Sequence, residues 1–407
     1  MLRNALRLLF MRRHFWRYAT FGEIGDLYMS RLLRMVALNI AASFISIYLY
    51  QEGYSVAFIA GFWAGFYFIK IAMAIPASIL SAWIGPKHSI LISNILFIPS
   101  MVAFALVPEY GQPMLGAVLI FQSLSAILYG IAYNVDFSKV KSDQHAGKEL
   151  AYMHMIEKIA AGLSPLAGGA LALWVGPQLV LIVTAALFLL SAIPLLRTAE
   201  VVKPRQRLTF KGFPWHLVRS MGWSQFAFGF DVFVSGTAWS LFTAIFIIGV
   251  ANGDNEVYFV NGILMSVIFL AALISSYIYG KLIDRRKGRE LMHISAVANS
   301  VSHLARLMIW SPFTTAGFNA VNELAKTGYI LAHHRGVFDN ADLSGRRTLY
   351  IGVVEAVANI GAGAAALALM IIMLVVGEGV SGFYGLFLMA SAVALLILTA
   401  RFPIYRR

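Results

Sequence analysis

The chain has 407 residues, 59% of them hydrophobic and 13% charged, with a formal net charge of +13. Roughly a quarter of the residues of an ordinary soluble domain are charged, so this composition excludes a soluble globular fold and points to an all-α polytopic membrane protein. The absence of cysteine excludes disulfides, iron–sulfur clusters and cysteine-held zinc, and in a membrane protein a positive balance reads as cytoplasmic loops rather than as a nucleic-acid surface.

The first stretch, MLRNALRLLFMRRHFWRYAT, carries basic residues on both sides of a short apolar run, with no small-residue cleavage site after it. It is set apart as a basic N-terminal segment, 1–20, open to two readings: an amphipathic helix on the inner leaflet or a disordered basic tail. Beyond it, apolar runs predict twelve spans. Six fall in a first half, 21–197, centred on 33–50, 56–81, 88–107, 113–134, 150–173 and 176–196. After a basic central loop at 198–216, six more fall in a second half, 217–407, centred on 222–249, 256–280, 291–310, 313–333, 348–375 and 381–400. The loops alternate in charge. QEGYS, PEYGQ, GPQ, ANGDNE, SP and GEGVS hold no Lys or Arg, whereas GPKH, DFSKVKSDQHAGKE, RTAEVVKPRQRLTFKG, GKLIDRRKGRE, HHRGVFDNADLSGRR and RFPIYRR all do. That alternation predicts both termini on the cytoplasmic side. Short loops suit a bacterial inner membrane.

The loop GKLIDRRKGRE, between the eighth and ninth spans, has an order that charge alone does not explain. Gly280, Leu282, Asp284, Arg285, Gly288 and Arg289 resemble the loop signature of the major facilitator superfamily, roughly G-x-L-x-D-R-x-G-R, with one extra residue before Gly288. The resemblance extends to the whole chain through the span count, the six-plus-six split and the central loop. It implies two six-helix bundles, and a conformational latch at Gly280, Asp284, Arg285, Gly288 and Arg289. Asp284 can cap the following turn or pair with Arg on a neighbouring helix end. The corresponding first-half loop reads SILSAWIGPK: Leu80 and Gly85 keep their places, but Ala82 and Trp83 stand where Asp and Arg belong. One latch is therefore degenerate. The fifth span, AAGLSPLAGGALA, looks like a worn form of the family's antiporter signature, with Ala160 and Ser164 for two glycines and Pro165, Gly168 and Gly169 retained.

An internal repeat supports duplication. GKELAYMHMIEK aligns with GRRTLYIGVVEA at a constant 198-residue offset, pairing Gly147 with Gly345, Tyr152 with Tyr350 and Glu157 with Glu355. The match joins the fifth span to the eleventh, as parallel repeats with a midplane site at their interface require.

Ionisable residues inside a bilayer are costly and mark function by default; here they are Arg34, Lys70, Glu157, Lys158, Asp231, Arg306, Glu323, Lys326 and Glu355. Glu157 and Glu355 lie about 12 Å into their helices at 1.5 Å per residue. Each reads either as a proton-carrying carboxylate, with His154 on the same helix face as Glu157, or as a tie to the loop arginines or Lys158. Asp231 is the lone acid of the seventh span, and the resemblance puts it near the substrate path. Glu323 and Lys326, three apart, either neutralise each other or grip a polar or zwitterionic substrate. Asn39, Asn134 and Asp136 add polar cavity candidates, and Arg34 is expected to snorkel at an inner helix end. The aromatic runs FWAGFYFIK and WSQFAFGFDVF read as packing or lipid-facing more readily than as a pocket.

These residues predict a secondary transporter of a small solute, coupled to protons, with export as one reading of its direction, that binds no nucleic acid and works as a monomer in the bilayer. No phosphate loop, H-E-x-x-H or G-x-S-x-G is present, so neither an ATP-driven pump nor an enzyme is expected, and no cofactor or metal is expected. The alternatives are a receptor or assembly factor on the same scaffold, favoured by the degenerate latch, and a lipid-modifying enzyme.

Overall fold

The computed structural model describes residues 23–41, 45–142, 144–175, 177–197, 199–200, 202–249 and 256–406. The basic segment 1–20 lies outside the described residues, as do the side chains of Pro165, Gly168 and Gly169. Regular structure among the described residues is entirely helical, the form in which each span satisfies its own backbone polar groups within lipid.

The long helices are α1 (Glu23–Ala41), α2 (Val56–Ile84), α3 (Pro86–Ala105), α4 (Gln112–Val140), α5 (Ala146–Val175), α6 (Pro177–Leu190), α7 (Gly222–Phe233), α8 (Glu256–Asp284), α9 (Gly288–Ala305), α10 (Pro312–Leu343), α11 (Arg347–Val376) and α12 (Val380–Ala394). Local chemistry sets several ends. Ser55 caps α2 by accepting from Phe58 N–H at 3.1 Å, and Ser311 forms a capping box with Thr314 ahead of Pro312 at the start of α10. Both α4 and α10 outrun their predicted spans, ending at Val140 and Leu343. Much of the basic loop sequence DFSKVKSDQHAGKE and HHRGVFDNADLSGRR is therefore helix.

Among the described residues, seven segments are long and apolar enough to cross a membrane: Ile24–Gln51, Val56–Ile84, Pro86–Ala105, Gln112–Val140, Gly222–Ile248, Arg347–Val376 and Val380–Thr399. Helices α5, α8 and α10 have the length, at 30, 29 and 32 residues. Of the three, α10 is the least apolar. The charges of α5 and α10 turn inward, as ionisable groups at membrane depth must, while large apolar side chains such as Phe313 (88% exposed) and Val375 (79% exposed) face outward.

The packing map repeats when each helix number rises by six. α1 packs on α5 and α6 as α7 packs on α11 and α12; α3 packs on α4 and α6 as α9 packs on α10 and α12; α2 meets α4 as α8 meets α10. The two most extensive cross-contacts, α2 with α11 and α8 with α5, exchange under the same shift. Glycines permit the closest crossings. A Cβ at Gly229 of α7 would stand 1.7 Å from the Ala358 carbonyl oxygen of α11, and one at Gly361 would stand 1.9 Å from that of Phe226. Gly229→Ala is expected to force these helices apart and destabilise the protein by about 1–3 kcal/mol, read as a lower melting temperature in detergent; an unchanged value would mean the crossing is looser than described.

Candidate functional site

The end of the molecule that carries the basic loops is sealed by contacts between the two sets of helices. Lys141, just past α4, has a nearly buried ammonium 2.5 Å from Asp342 and 3.5 Å from Asp339 of α10. Arg347 binds Asp342 and donates to Ser138 Oγ of α4 at 3.0 Å. Gly147 and Gly280 bring α5 and α8 together: a Cβ on Gly147 would lie 2.6 Å from the Gly280 carbonyl oxygen. At this crossing Asp284 Oδ1 accepts from Gly147 N–H at 2.8 Å. The latch acid thus caps the start of α5, a helix of the other set, rather than its own following turn or an arginine. Burial raises the Asp284 carboxyl above its ordinary range, opposed by these backbone donors.

The extra residue in the latch loop is absorbed by Arg286, whose φ is 63°. Arg286 N–H donates to Ile283 and Lys287 N–H to Leu282, both at 3.0 Å, a Schellman ending that needs a left-handed residue. Arg285 and Arg289 are exposed, and Gly288 lies against the Tyr405 ring.

Where the first-half signature lacks its acid, the central loop takes its place. Arg205 and Gln206 N–H groups donate to the Trp83 and Ala82 carbonyls at 2.9 and 3.0 Å. Glu200 accepts from Lys87 N–H at 3.1 Å and His88 N–H at 3.4 Å, capping α3. Farther along the loop, Arg346, at the start of α11, binds the Thr209 carbonyl.

Glu149, just ahead of the predicted span at 150–173, accepts from Ser142 N–H at 2.7 Å. Burial lifts its carboxyl from 4.5 to about 7. The folded chain keeps this proton to higher pH than the unfolded chain, so stability is full below the unfolded value and is lost as pH rises through about 7. Glu149→Gln should flatten the pH profile of the melting temperature between about pH 5 and 8, by on the order of 1–3 kcal/mol. A profile as steep as that of the unmodified chain would remove Glu149 as its source.

Deeper, a chain of charges links α1, α5 and α10. Arg31 holds Glu157 at 2.6 Å. His154 lies 3.9 Å from Glu157 and 3.5 Å from Glu323. Lys158 pairs with Glu323 at 2.7 Å, and Thr327 Oγ1 donates to the same oxygen at 3.2 Å. Two expectations are corrected. Glu157 is tied to Arg31 of α1 rather than to loop arginines or Lys158, because Arg31 projects from the neighbouring helix at its depth. Glu323 pairs across the halves with Lys158 rather than with Lys326 of its own helix.

Asp231 is 1% exposed and fully engaged. His303 Nε2 lies 2.8 Å from Oδ1, Ser235 Oγ donates to Oδ1 at 2.7 Å, and Tyr329 OH donates to Oδ2. Arg306 donates to His303 Nδ1 at 2.9 Å and to Ser235 Oγ at 2.8 Å. A guanidinium is always a donor, so His303 Nδ1 carries a lone pair and Nε2–H faces the carboxylate. The result is a neutral imidazole between one buried anion and one buried cation.

Glu355 of α11, the repeat partner of Glu157, has different company. Its Oε1 accepts from Asn134 Nδ2 of α4 at 2.8 Å. Lys70 of α2 is its main electrostatic counter-charge, with its ammonium over the rings of Phe66 and Tyr67 at 5.1 and 5.3 Å. Asn39 bonds its own helix at the Met35 carbonyl, 2.7 Å, and Asp136 is buried without lining a described cavity. Arg34 does not snorkel. It is 2% exposed, binds Asn94 and Ser125, and stands 3.8 Å from the Tyr129 ring centre. Of the aromatic runs, Phe62, Phe66, Phe230 and Phe233 are buried packing, while Phe68 and Trp223 are exposed.

A cavity of about 190 Å³ opens beside these groups, walled by α5, α7, α8 and α10. Helix α10 supplies Asn319, Asn322, Glu323 and Lys326, α5 supplies Lys158 and Gly162, and α7 supplies Ser235, Trp239 and Thr243. Beyond Phe233 the α7 helix continues through two π-helical stretches, Val234–Ala238 and Thr243–Ile248. Such wide turns recur at functional sites, and these rotate the cavity-facing side chains of α7. Sequence reasoning missed His303, Trp239, Asn319, Asn322 and the π turns. A signal for the α10 wall was present, since 319, 322, 323 and 326 form one polar stripe at helical spacing within a span.

The sequence profile of the Major Facilitator Superfamily matches residues 27–321. No curated protein matches the chain in sequence. Solved structures share its fold at low identity. A bacterial homologue of the iron transporter ferroportin, in an outward-facing state, aligns with a TM-score of 0.70 at 13% identity, over 95% of this chain and 100% of that one. The human organic anion transporter MFSD10 (TETRAN) aligns at 0.68 and 12% identity, over 92% and 97%. FucP in the outward conformation aligns at 0.67 and 16% identity, over 94% and 97%. With its sealed basic end, its shift-by-six packing map and a charged cavity between α5, α7, α8 and α10, this chain belongs to the Major Facilitator Superfamily and has the fold of a membrane transporter.

Proposed function

We propose that the chain is a proton-coupled secondary transporter of a small polar solute, working by alternating access in a bacterial inner membrane. In this reading twelve helices cross the bilayer, both termini and the basic loops are cytoplasmic, and residues 21–197 and 217–407 are the two rocking bundles joined by the loop at 198–216. The observation that carries it is the charged cavity walled by α5 and by three second-half helices, combined with closure at the basic end only through contacts that tilting can break. Lys141–Asp342, Asp284–Gly147 and Arg347–Ser138 are such contacts. If the basic end is cytoplasmic, the state described is outward-facing or occluded.

Proton coupling is assigned to Glu355. Glu157 is held by Arg31, Glu323 by Lys158, and Asp231 by three donors. Glu355 has a neutral amide from the opposite bundle and a lysine not in contact. Docking of the central loop where the first latch lacks its acid supports a working transporter over a receptor on the same scaffold. The test is solute flux in proteoliposomes driven by an imposed pH gradient. Flux that follows the gradient and collapses with a protonophore supports the reading; solute binding without flux under any gradient would sink it.

A further inference from the structure

The cavity holds one cationic group with nothing bound to it. Lys158 is neutralised by Glu323 at 2.7 Å, but Lys326 donates no hydrogen bond and lies in no ion pair among the described residues. Its electrostatic neighbours are Asp231, Lys158, Glu323 and Arg306. None of them is in contact with it among the described residues. Asp231 is held by His303, Ser235 and Tyr329 and offsets Arg306; Glu323 Oε1 is engaged by Lys158 and Thr327; Lys158 and Arg306 are cations. The cavity walls therefore carry one uncompensated positive charge.

Two further groups await a ligand. Asn322 is 7% exposed and Thr243 2% exposed, both line the cavity, and Asn322 Oδ1 and Thr243 Oγ1 have no hydrogen-bond partner among the described residues. A buried polar atom left unsatisfied is costly, and ligand sites are where such groups converge. The amide of Asn322 and the hydroxyl of Thr243 can both accept a hydrogen bond, while the indole of Trp239 and the ring of Phe269 give the same space apolar walls. At about 190 Å³ the cavity is smaller than the roughly 300–1,000 Å³ of drug-sized sites, a size that suits a small solute.

We infer that the transported solute is a small organic carboxylate bearing an adjacent hydroxyl or amino donor, its carboxylate seated on Lys326 and its donor met by Asn322 or Thr243. This rests on the transporter reading for the word "transported" but not for binding. A carboxylate arriving at Lys326 replaces water around both charges with a charge-assisted bond; a neutral or cationic solute of the same shape leaves the ammonium uncompensated.

The experiment uses the full chain in lipid nanodiscs and follows tryptophan fluorescence and thermal shift with a panel of small 2-hydroxy- and 2-amino-carboxylates, lactate and mandelate among them, each beside its neutral amide. At least one carboxylate is expected to bind about ten- to hundredfold more tightly than its amide, the span of one charge-assisted hydrogen bond. Lys326→Gln should erase that preference and Lys326→Arg should retain it. Equal binding of acid and amide, no binding by any carboxylate of the panel, or a preference that survives Lys326→Gln would overturn the inference. The outcomes separate from those of the transporter reading. Carboxylate binding without flux would refute transport and leave the anion site standing. Flux of a neutral solute indifferent to Lys326 would do the reverse.

Discussion

Glu355→Gln is expected to uncouple flux from the pH gradient while leaving fold and solute exchange intact. Glutamine keeps an oxygen to accept from Asn134 Nδ2, now at 2.8 Å from Glu355, but it cannot carry a proton. The bond joins α11 to α4, so it must break when the two bundles separate there, and the carboxylate then meets water and its charged form is favoured. In the closed arrangement the Asn134 amide stands where that water would be. Charge and tilt are thereby linked, and such linkage between two sites is typically worth about 5–150-fold. Gradient-driven uptake should fall within that range in Glu355→Gln, whereas counterflow measured without a gradient should stay near the level of the unmodified protein. Lys70→Gln should act in the same direction by removing the counter-charge. Unaltered gradient dependence in Glu355→Gln would move the proton site elsewhere.

Asp231→Asn is expected to fail differently, through stability. The carboxylate is the anion of a closed network in which His303, Ser235 and Tyr329 donate to it and Arg306 reaches it through His303 and Ser235. Arg306 is 0% exposed and stacked near Trp239, Phe318 and Phe387 at 5.1, 5.9 and 5.4 Å. Removing one charge of a buried pair strands the other, at about 3–5 kcal/mol. The melting temperature in detergent should drop accordingly, and adding Arg306→Met to Asp231→Asn should recover much of the loss, since no orphan charge remains. If Asp231→Asn melts like the unmodified protein and loses only gradient-driven flux, Asp231 is a proton carrier and the clamp described here is wrong.

The two acids show where sequence reading stops. Asp231, alone in an apolar span, was placed near the substrate path by the resemblance, and Glu157 and Glu355 looked equivalent across the 198-residue repeat. In three dimensions Asp231 meets a histidine from α9, Glu157 an arginine from α1, and Glu355 an amide from α4. Partners on other helices decide what each carboxylate can do, and helical periodicity carries no information about them. The same holds for Glu323, whose neighbour on its own helix, Lys326, is three residues away but whose ion-pair partner, Lys158, belongs to another helix. Arg34 was misread for a related reason. Position near a helix end suggested snorkelling, yet the polar pocket of Asn94 and Ser125 exists only after α1, α3 and α4 have packed.

By itself the amino-acid order determined the membrane-spanning helical class, the alternation of basic and neutral loops, the duplication and the latch loop. Each depends on composition or on neighbours within one stretch of chain, which hydrophobic transfer and local hydrogen bonding govern directly. Tertiary structure alone decided which buried charges are spent on one another, how the central loop substitutes for a missing acid, and that Lys326 is left over. Compensation of charge in a low-dielectric interior is settled by distances of a few ångströms between helices far apart in sequence.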